Sequence, residues 1–439
     1  MNNTEHKQKI LPVLQTVVDR LKVCKEFNLT NVTFVCIQHL LFTTVDLIKS
    51  LIMLGAKPSN IHIMGKIYST CPDVVGQIIK LGVVYYHYTQ PQQLGSFNDF
   101  FNRDIANMWN KVSSTLLNTK SNTIIILDDG SKCIANIPKS LSDNYTVFAV
   151  EQTSSGIAHI KKNSITVPLI NVAFSAAKQL LESPMIARAV ATKLDKFLSL
   201  YSGGFTSGVV GLGVIGRAVV QKLLSFNHKV LVYDKIKEKC NFINSVNVVN
   251  STQLLFQEAD YIFGCTGEDI SISININEIQ GIKNLISCSS QDIEFQSLLK
   301  IIQNNYSNTV LNVLSNLCLP LDNGIIKIYR GGYPINLDNS GESVPAKDIQ
   351  LTRGLLLGGI IQAIFQLIQE PKPECKEYML DTKIQKLIVQ ELMVNGTEQI
   401  SHESLVMNFL DKEWIKNNSV GCFMEKPIVF PENLFNTTS

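Results

Sequence analysis

The sequence predicts an α/β protein of two domains, each a doubly wound, mostly parallel sheet, the second being a Rossmann dinucleotide-binding unit. Three observations predict it. From Val32 onward, short β-branched runs alternate with segments of helical periodicity. A glycine-rich turn follows the strand beginning at Gly208 and opens a helix. A chain of 439 residues is also too long for one ordinary core.

The first domain opens with the run VTFVC as a strand, then TTVDLIKSLIMLG as a helix closing at Gly55. IHIM is the next strand, DVVGQIIKLG a helix closing at Gly82, and VVYYH a third strand. A longer helix is expected at residues 97 to 118, then the strands TIIILDDG and YTVFAVEQ. Ligands in such sheets sit at the carboxyl ends of strands, which places Asp128, Asp129, Glu151 and Gln152 where a site is expected. A long helical segment from Ser175 to Tyr201 leads to the break SGGFTSG, so the first domain is taken as residues 1–190 and the second as 191–344. The apolar stretch Gly354 to Ile368, interrupted by Gln362 and Gln366, reads as a buried helix. It lets residues 345–370 complete the first domain, with 371–439 a divergent C-terminal segment.

Charged residues make up 17% of the chain and hydrophobic ones 45%, which fits packed cores and excludes a disordered chain. Lys+Arg 39 against Asp+Glu 37 leaves a net charge of +2, too small for a nucleic-acid footprint. The ten cysteines are scattered with no C-x-x-C pair, so neither a zinc site nor a disulfide framework is indicated. Reduced thiols and a start, MNNTEHKQKI, without a secretory apolar core point to a soluble cytoplasmic protein with no membrane partner. N-x-S/T triplets such as those at Asn28 and Asn250 are expected to be unglycosylated.

The segment GVVGLGVIGRAVVQKLL places Gly211, Gly213 and Gly216 at the spacing G-x-G-x-x-G, with Val214 and Ile215 opening the helix. The glycines provide a tight turn, close approach to a pyrophosphate and close helix packing, with the phosphates on the helix N-terminus. The next strand, KVLVYD, ends in Asp234, 18 residues past Gly216. A carboxylate there accepts from the adenosine ribose hydroxyls and repels a 2′-phosphate, so the expected cofactor is NAD, with Lys235 pulling toward NADP.

Several peptides in one order resemble the S-adenosylhomocysteine hydrolase family over roughly residues 30 to 368: ILDDG (126–130), EQTSSG (151–156), VPLINVAFSAAK (167–178), GLGVIG, CTG (265–267), SSQDIE (289–294) and GGYPINL (331–337). The resemblance implies a substrate domain and a cofactor domain, a small-molecule nucleoside substrate and a homo-oligomer. It implies that Thr153, Ser154 and Ser155 line the nicotinamide ribose, that Thr266 lies near the cofactor, and that Asn336 holds the carboxamide. It further implies oxidation of a ribose 3′-hydroxyl and elimination and hydrolysis of a 5′-thioether, with Lys178 as first base and Asp129 with His39 as the second acid–base pair.

The chain departs from that family's pattern where substrate is held. Leu41 and Thr43 replace adenine contacts, Gln152 replaces a ribose-binding glutamate, Glu182 replaces an aspartate, and Ser183 an asparagine. Ser290 and Glu342 stand at two histidine positions, and the chain ends FPENLFNTTS without the family's tail. The pattern implies altered base recognition, or alternatively an inactive NAD-binding relative that works through a partner protein. An ordinary hydroxyacid dehydrogenase is disfavoured, because His228 is the only histidine between Gly208 and Gly341.

Overall fold

The computed structural model describes residues 10–90, 93–198, 204–242, 245–305, 312–396, 408–409, 411–424 and 427–435. The chain divides into two compact units, Met1–Tyr88 with Asn102–Glu182 and Val344–Ser439, and Thr89–Phe101 with Ser183–Ser343. Both are α/β, as the alternation of strand and helix patterns predicts, and the second is the Rossmann unit.

The first unit holds β1 (Val32–Ile37), β2 (Ile61–Met64), β3 (Val84–Tyr86), β4 (Thr123–Asp128), β5 (Thr146–Glu151) and β6 (Leu169–Asn171). The second holds β7 (Thr206–Val210), β8 (Lys229–Tyr233), β9 (Asn247–Val248), β10 (Tyr261–Gly264), β11 (Gly281–Ser287), β12 (Leu317–Leu321) and β13 (Gly324–Ile328). A last strand, β14 (Glu377–Met379), pairs in parallel with β6 at the edge of the first sheet. The strand orders are β14-β6-β5-β4-β1-β2-β3 and β12-β13-β11-β10-β7-β8-β9. Among the described residues all pairings are parallel except β12 with β13. Every residue of β1 is buried, which is why its sequence is a continuous apolar run rather than an alternation.

Each sheet reverses its strand order once, between β1 and β4 in the first and between β7 and β10 in the second. Loops leaving two such neighbouring strands run to opposite sides and open a crevice at their carboxyl ends. His39 follows β1 and Asp129 follows β4, while the Gly211 turn follows β7 and Cys265–Gly267 follows β10.

The helix Ala346–Gln369 crosses the core of the first unit, with every residue from Asp348 to Gln366 buried. Of its two polar interruptions, Gln362 has an internal use. Gln362 donates to Met379 O (3.1 Å) and accepts from Asp381 N (2.7 Å), and Gln366 is buried beside it. Among the described residues this is the one helix long and apolar enough to cross a membrane, and 89% of its apolar window lies buried inside the protein.

The expected helix from Ser175 to Tyr201 is two elements. A π-helical turn, Lys178–Glu182, precedes an α-helix, Ser183–Leu198. Pro184 has no N–H with which to continue an α-helical ladder from the preceding turn, which accounts for the change of winding. Residues 199–203, where the SGGFTSG break begins, lie outside the described residues, as do the terminal segments 1–9 and 436–439. Within residues 371–439, besides β14, the helix Thr382–Asn395 supplies Gln385, whose Oε1 accepts from Ala177 N (3.3 Å).

Candidate functional site

In the second unit the strand–turn–helix is tightly built. Gly211 has φ +92°, and a Cβ there would stand 2.8 Å from Cys265 O. A Cβ on Gly216 would stand 1.8 Å from Gly211 O, so helix and turn meet backbone against backbone. A Cβ on Gly213 would meet nothing within 4 Å, leaving open the side from which a ligand approaches. Gly213 caps the helix Val214–Ser225 without a side-chain bond, and the first-turn N–H groups and the positive end of the helix dipole suit a pyrophosphate. Asp234 is buried, and its carboxylate accepts from Leu212 N (2.7 Å) and Ile236 N (2.8 Å). It thereby ties β8 to the glycine turn while keeping further lone pairs for ribose hydroxyls.

Gly211, Gly213 and Asp234 line a cavity of about 390 Å³ that also takes in Thr266, Glu268, Lys239 and Ile272. Thr266 is fixed by Glu294, which accepts from Thr266 N (2.6 Å), Gly267 N (2.5 Å) and Thr266 Oγ1 (2.9 Å). Asn336 is buried next to Ile335, whose N–H donates to Ser287 O at the end of β11 (3.0 Å). The cradle fits a dinucleotide, and the cofactor is NAD, the acidic residue at the end of β8 being Asp234.

The first unit gathers a second set of charged groups at the carboxyl ends of β1, β2, β4 and β5. Asp129 is buried and forms an ion pair with Lys66, accepts a hydrogen bond from Gln152 Nε2, and lies 3.5 Å from His39 Nε2. His39 Nδ1 is 2.6 Å from Ser69 Oγ, and Tyr68 packs edge-on against its ring. Burial lowers the His39 pKa to about 4, with Lys66, Arg353 and Lys178 adding to the effect and Asp129 opposing it. Burial opposes the charge on Asp129, yet Lys66 and His39 hold the carboxyl well below the usual range; in return Asp129 raises Lys66 against its own burial. Lys178 pairs with Glu182 across the π-helical turn, with both side chains mostly buried. Single π turns recur at functional sites.

The other expected residues divide by role. Thr43 Oγ1 accepts from Arg353 Nε (3.2 Å), and Leu41 caps the helix Phe42–Met53 with its side chain buried. Thr153 caps the helix Ser154–Asn163, accepting from Gly156 N (3.0 Å) and donating to Glu151 Oε1 (2.7 Å), while Ser154 and Ser155 are exposed at its start. Ser290 and Glu342 lie in the second unit and belong to neither cluster. Sequence reasoning missed Lys66 and Arg353. Lys66 follows β2 by two residues, so the strand-end rule that selected Asp129 also selects it; Arg353 is the only charged residue in the apolar stretch from Ile349 to Phe365. His228 sits at the amino end of β8, bonded to Ser207 Oγ (2.7 Å) at the amino end of β7, at the opposite end of these strands from the glycine turn.

Glu151 gives a pH prediction. Its Oε1 takes three hydrogen bonds, from Gly130 N, Thr153 N and Thr153 Oγ1, while Oε2 has none among the described residues, and burial with Asp128 and Asp129 nearby raises its pKa from 4.5 to about 8. The folded protein therefore keeps a proton that the unfolded chain gives up from about pH 4.5, and stability falls as pH rises until about pH 8. His39 and His62, both lowered from 6.5 to about 4, act in the other direction but only below about pH 6.5, and Asp128, raised to about 6 by burial, has titrated by then. Between pH 6.5 and 8 the melting temperature is expected to fall, and Glu151→Gln to flatten that decline. A slope that Glu151→Gln leaves unchanged would contradict the assignment.

Residues 170–269 match the model for the NAD-binding domain of D-isomer specific 2-hydroxyacid dehydrogenases. Two uncharacterised proteins of Mycobacterium tuberculosis, from strains CDC 1551 and H37Rv, are each 28% identical over 362 residues, covering 81% of this chain and 68% of theirs. Among solved structures, NAD-bound 3-phosphoglycerate dehydrogenase of Entamoeba histolytica is 10% identical with a TM-score of 0.35, covering 79% of this chain and 98% of its own. A putative D-3-phosphoglycerate dehydrogenase of Ralstonia solanacearum is 13% identical with a TM-score of 0.34, covering 60% and 84%.

The match corrects the resemblance to S-adenosylhomocysteine hydrolase. The family model that fits the cofactor turn describes 2-hydroxyacid dehydrogenases. The hydrolysis of a nucleoside thioether is set aside with it, as is the inactive, partner-binding relative derived from the same comparison. The physical reason is that GLGVIG and CTG serve the dinucleotide: they carry the backbone turn and the loop that line the cofactor cavity, and do not specify what happens to the substrate. The same match removes the argument against a hydroxyacid dehydrogenase, which rested on His228 being the only histidine between Gly208 and Gly341.

Proposed function

We propose that the protein is an NAD-dependent oxidoreductase that interconverts a secondary hydroxyl and a ketone on a small polar molecule, with proton transfer performed by the first-unit cluster. The observation that carries this reading is the His39–Asp129 pair at the strand reversal of the first sheet, in a chain whose second unit is built to hold NAD.

NAD, when bound, supplies the acceptor for the hydrogen and electron pair leaving the alcohol carbon. The chain's own task is the hydroxyl proton. His39 is neutral at pH 7 and so able to accept it, and Asp129 beside it stabilises the imidazolium that results. Ser69 on Nδ1 fixes the ring orientation. Lys66 keeps Asp129 ionised, and Lys178 with Glu182 offers a second polar pair that orients a substrate oxygen. The name of the matched domain makes 2-hydroxyacids the first substrates to try. A cytoplasmic location belongs to the same proposal, supported by ten cysteines that are all free thiols.

The test is the near-ultraviolet absorbance of NAD-loaded protein challenged with 2-hydroxyacids and other secondary alcohols one at a time. A reduced-cofactor band is expected with at least one, and His39→Gln is expected to slow its appearance roughly 10²- to 10⁴-fold, with partial rescue by free imidazole. Silence toward every alcohol in protein shown to contain NAD, or a His39→Gln variant as fast as the original, would overturn the proposal.

A further inference from the structure

The adenosine end of the cofactor cavity carries more positive charge than the sequence suggested. Lys235, directly after Asp234, and Lys239 both line it. A basic side chain beside the ribose hydroxyl can hold a 2′-phosphate, which would pull a site with Asp234 toward NADP. The structure shows where that charge goes. Lys235 Nζ lies 2.7 and 2.9 Å from the two carboxylate oxygens of Glu268, on the loop after β10, and both residues line the same cavity. Neighbouring carboxylates are already engaged: Asp269 accepts from Ser271 and Ser297, and Asp234 from Leu212 and Ile236.

We propose that Glu268 is a specificity-determining residue for the cofactor, holding the Lys235 ammonium away from the position of a 2′-phosphate and so securing NAD against NADP. This rests on the NAD assignment and extends it to a residue that no glycine-turn pattern includes. The side chains of Lys235 and Glu268 are 67% and 65% exposed, so the pair does little to hold the fold together and can be broken without unfolding the unit. Its exposure also means the ammonium, once released, is free to turn toward a phosphate at the cavity rim.

The test measures NADH and NADPH affinities by fluorescence at low ionic strength for the wild-type protein, Glu268→Gln, Lys235→Gln and the double variant. Glu268→Gln is expected to raise the NADPH-to-NADH affinity ratio roughly tenfold, the size of one new charge-assisted contact. Added salt should erase that gain. In the double variant the ratio should return close to its original value. An unchanged ratio in Glu268→Gln would overturn the proposal. So would a gain that persists in the double variant, since bare repulsion by Glu268 would then set the choice. Wild-type protein that bound neither dinucleotide would overturn the proposal and the NAD assignment together.

Discussion

Gly216→Ala is expected to weaken NAD binding by about 100-fold or more while the first unit stays folded. The added Cβ would stand 1.8 Å from the carbonyl oxygen of Gly211, a backbone atom that cannot swing aside as a side chain can. Gly211 is itself held at φ +92° against Cys265 O, so the strain has nowhere to go except into the helix Val214–Ser225, whose start must lift away from β7. Overpacking of this kind costs about 1–3 kcal/mol. The larger loss is at the phosphates, because the first-turn N–H groups move with the helix; each 1.4 kcal/mol lost there is about tenfold in affinity. Gly213→Ala supplies the contrast. Nothing stands within 4 Å of its added Cβ, so thermal stability without cofactor should be kept while binding falls. Calorimetric titration with NADH and thermal melts of both variants check this, and Gly216→Ala binding within about threefold of wild type would refute it.

The parts of the molecule that follow from local rules were legible in the sequence. The strands β1, β2, β4 and β5 are short apolar runs bounded by polar residues, and the glycine turn with Asp234 is a contiguous pattern, so sheet class and cofactor both followed from it. The parts set by long-range partners were not. β14 is three residues that become a strand only because Leu169–Asn171 offers an open edge to pair with. The π-helical turn at Lys178 depends on Pro184 ahead of it and on Ser419 and Gln385, more than 200 residues away, binding Ala176 N and Ala177 N. Lys66 is hard to single out from sequence because a lysine is ordinarily solvent-exposed. Its burial makes sense only beside Asp129, and the two are 63 residues apart in the chain. The resemblance misled for a related reason: the peptides that carried it include the turn and loop that line the dinucleotide cavity, whereas the charged cluster of the first unit is assembled from side chains at four different strand ends.

Asp129→Ala is the second change with a large expected effect, and it separates what holds the first unit together from what it does. Removing the carboxylate leaves Lys66, only 3% exposed, with its charge buried and its anion gone. Breaking a buried pair from one side typically costs about 3–5 kcal/mol. Gln152 Nε2 loses its acceptor as well, and His39 loses the group that would stabilise its charged form. Denaturation by urea should therefore show a large loss of stability in Asp129→Ala and a smaller one in Asp129→Asn, which keeps the shape and an acceptor oxygen. Replacing both partners, Asp129→Leu with Lys66→Met, should recover most of that stability, because two well-packed apolar side chains carry no desolvation penalty. Turnover should not recover with it. If the cluster were only a structural ion pair, the apolar double variant would oxidise substrate as fast as wild type; if it handles the proton, the double variant would be stable, bind NAD, and remain slower by roughly 10²-fold or more.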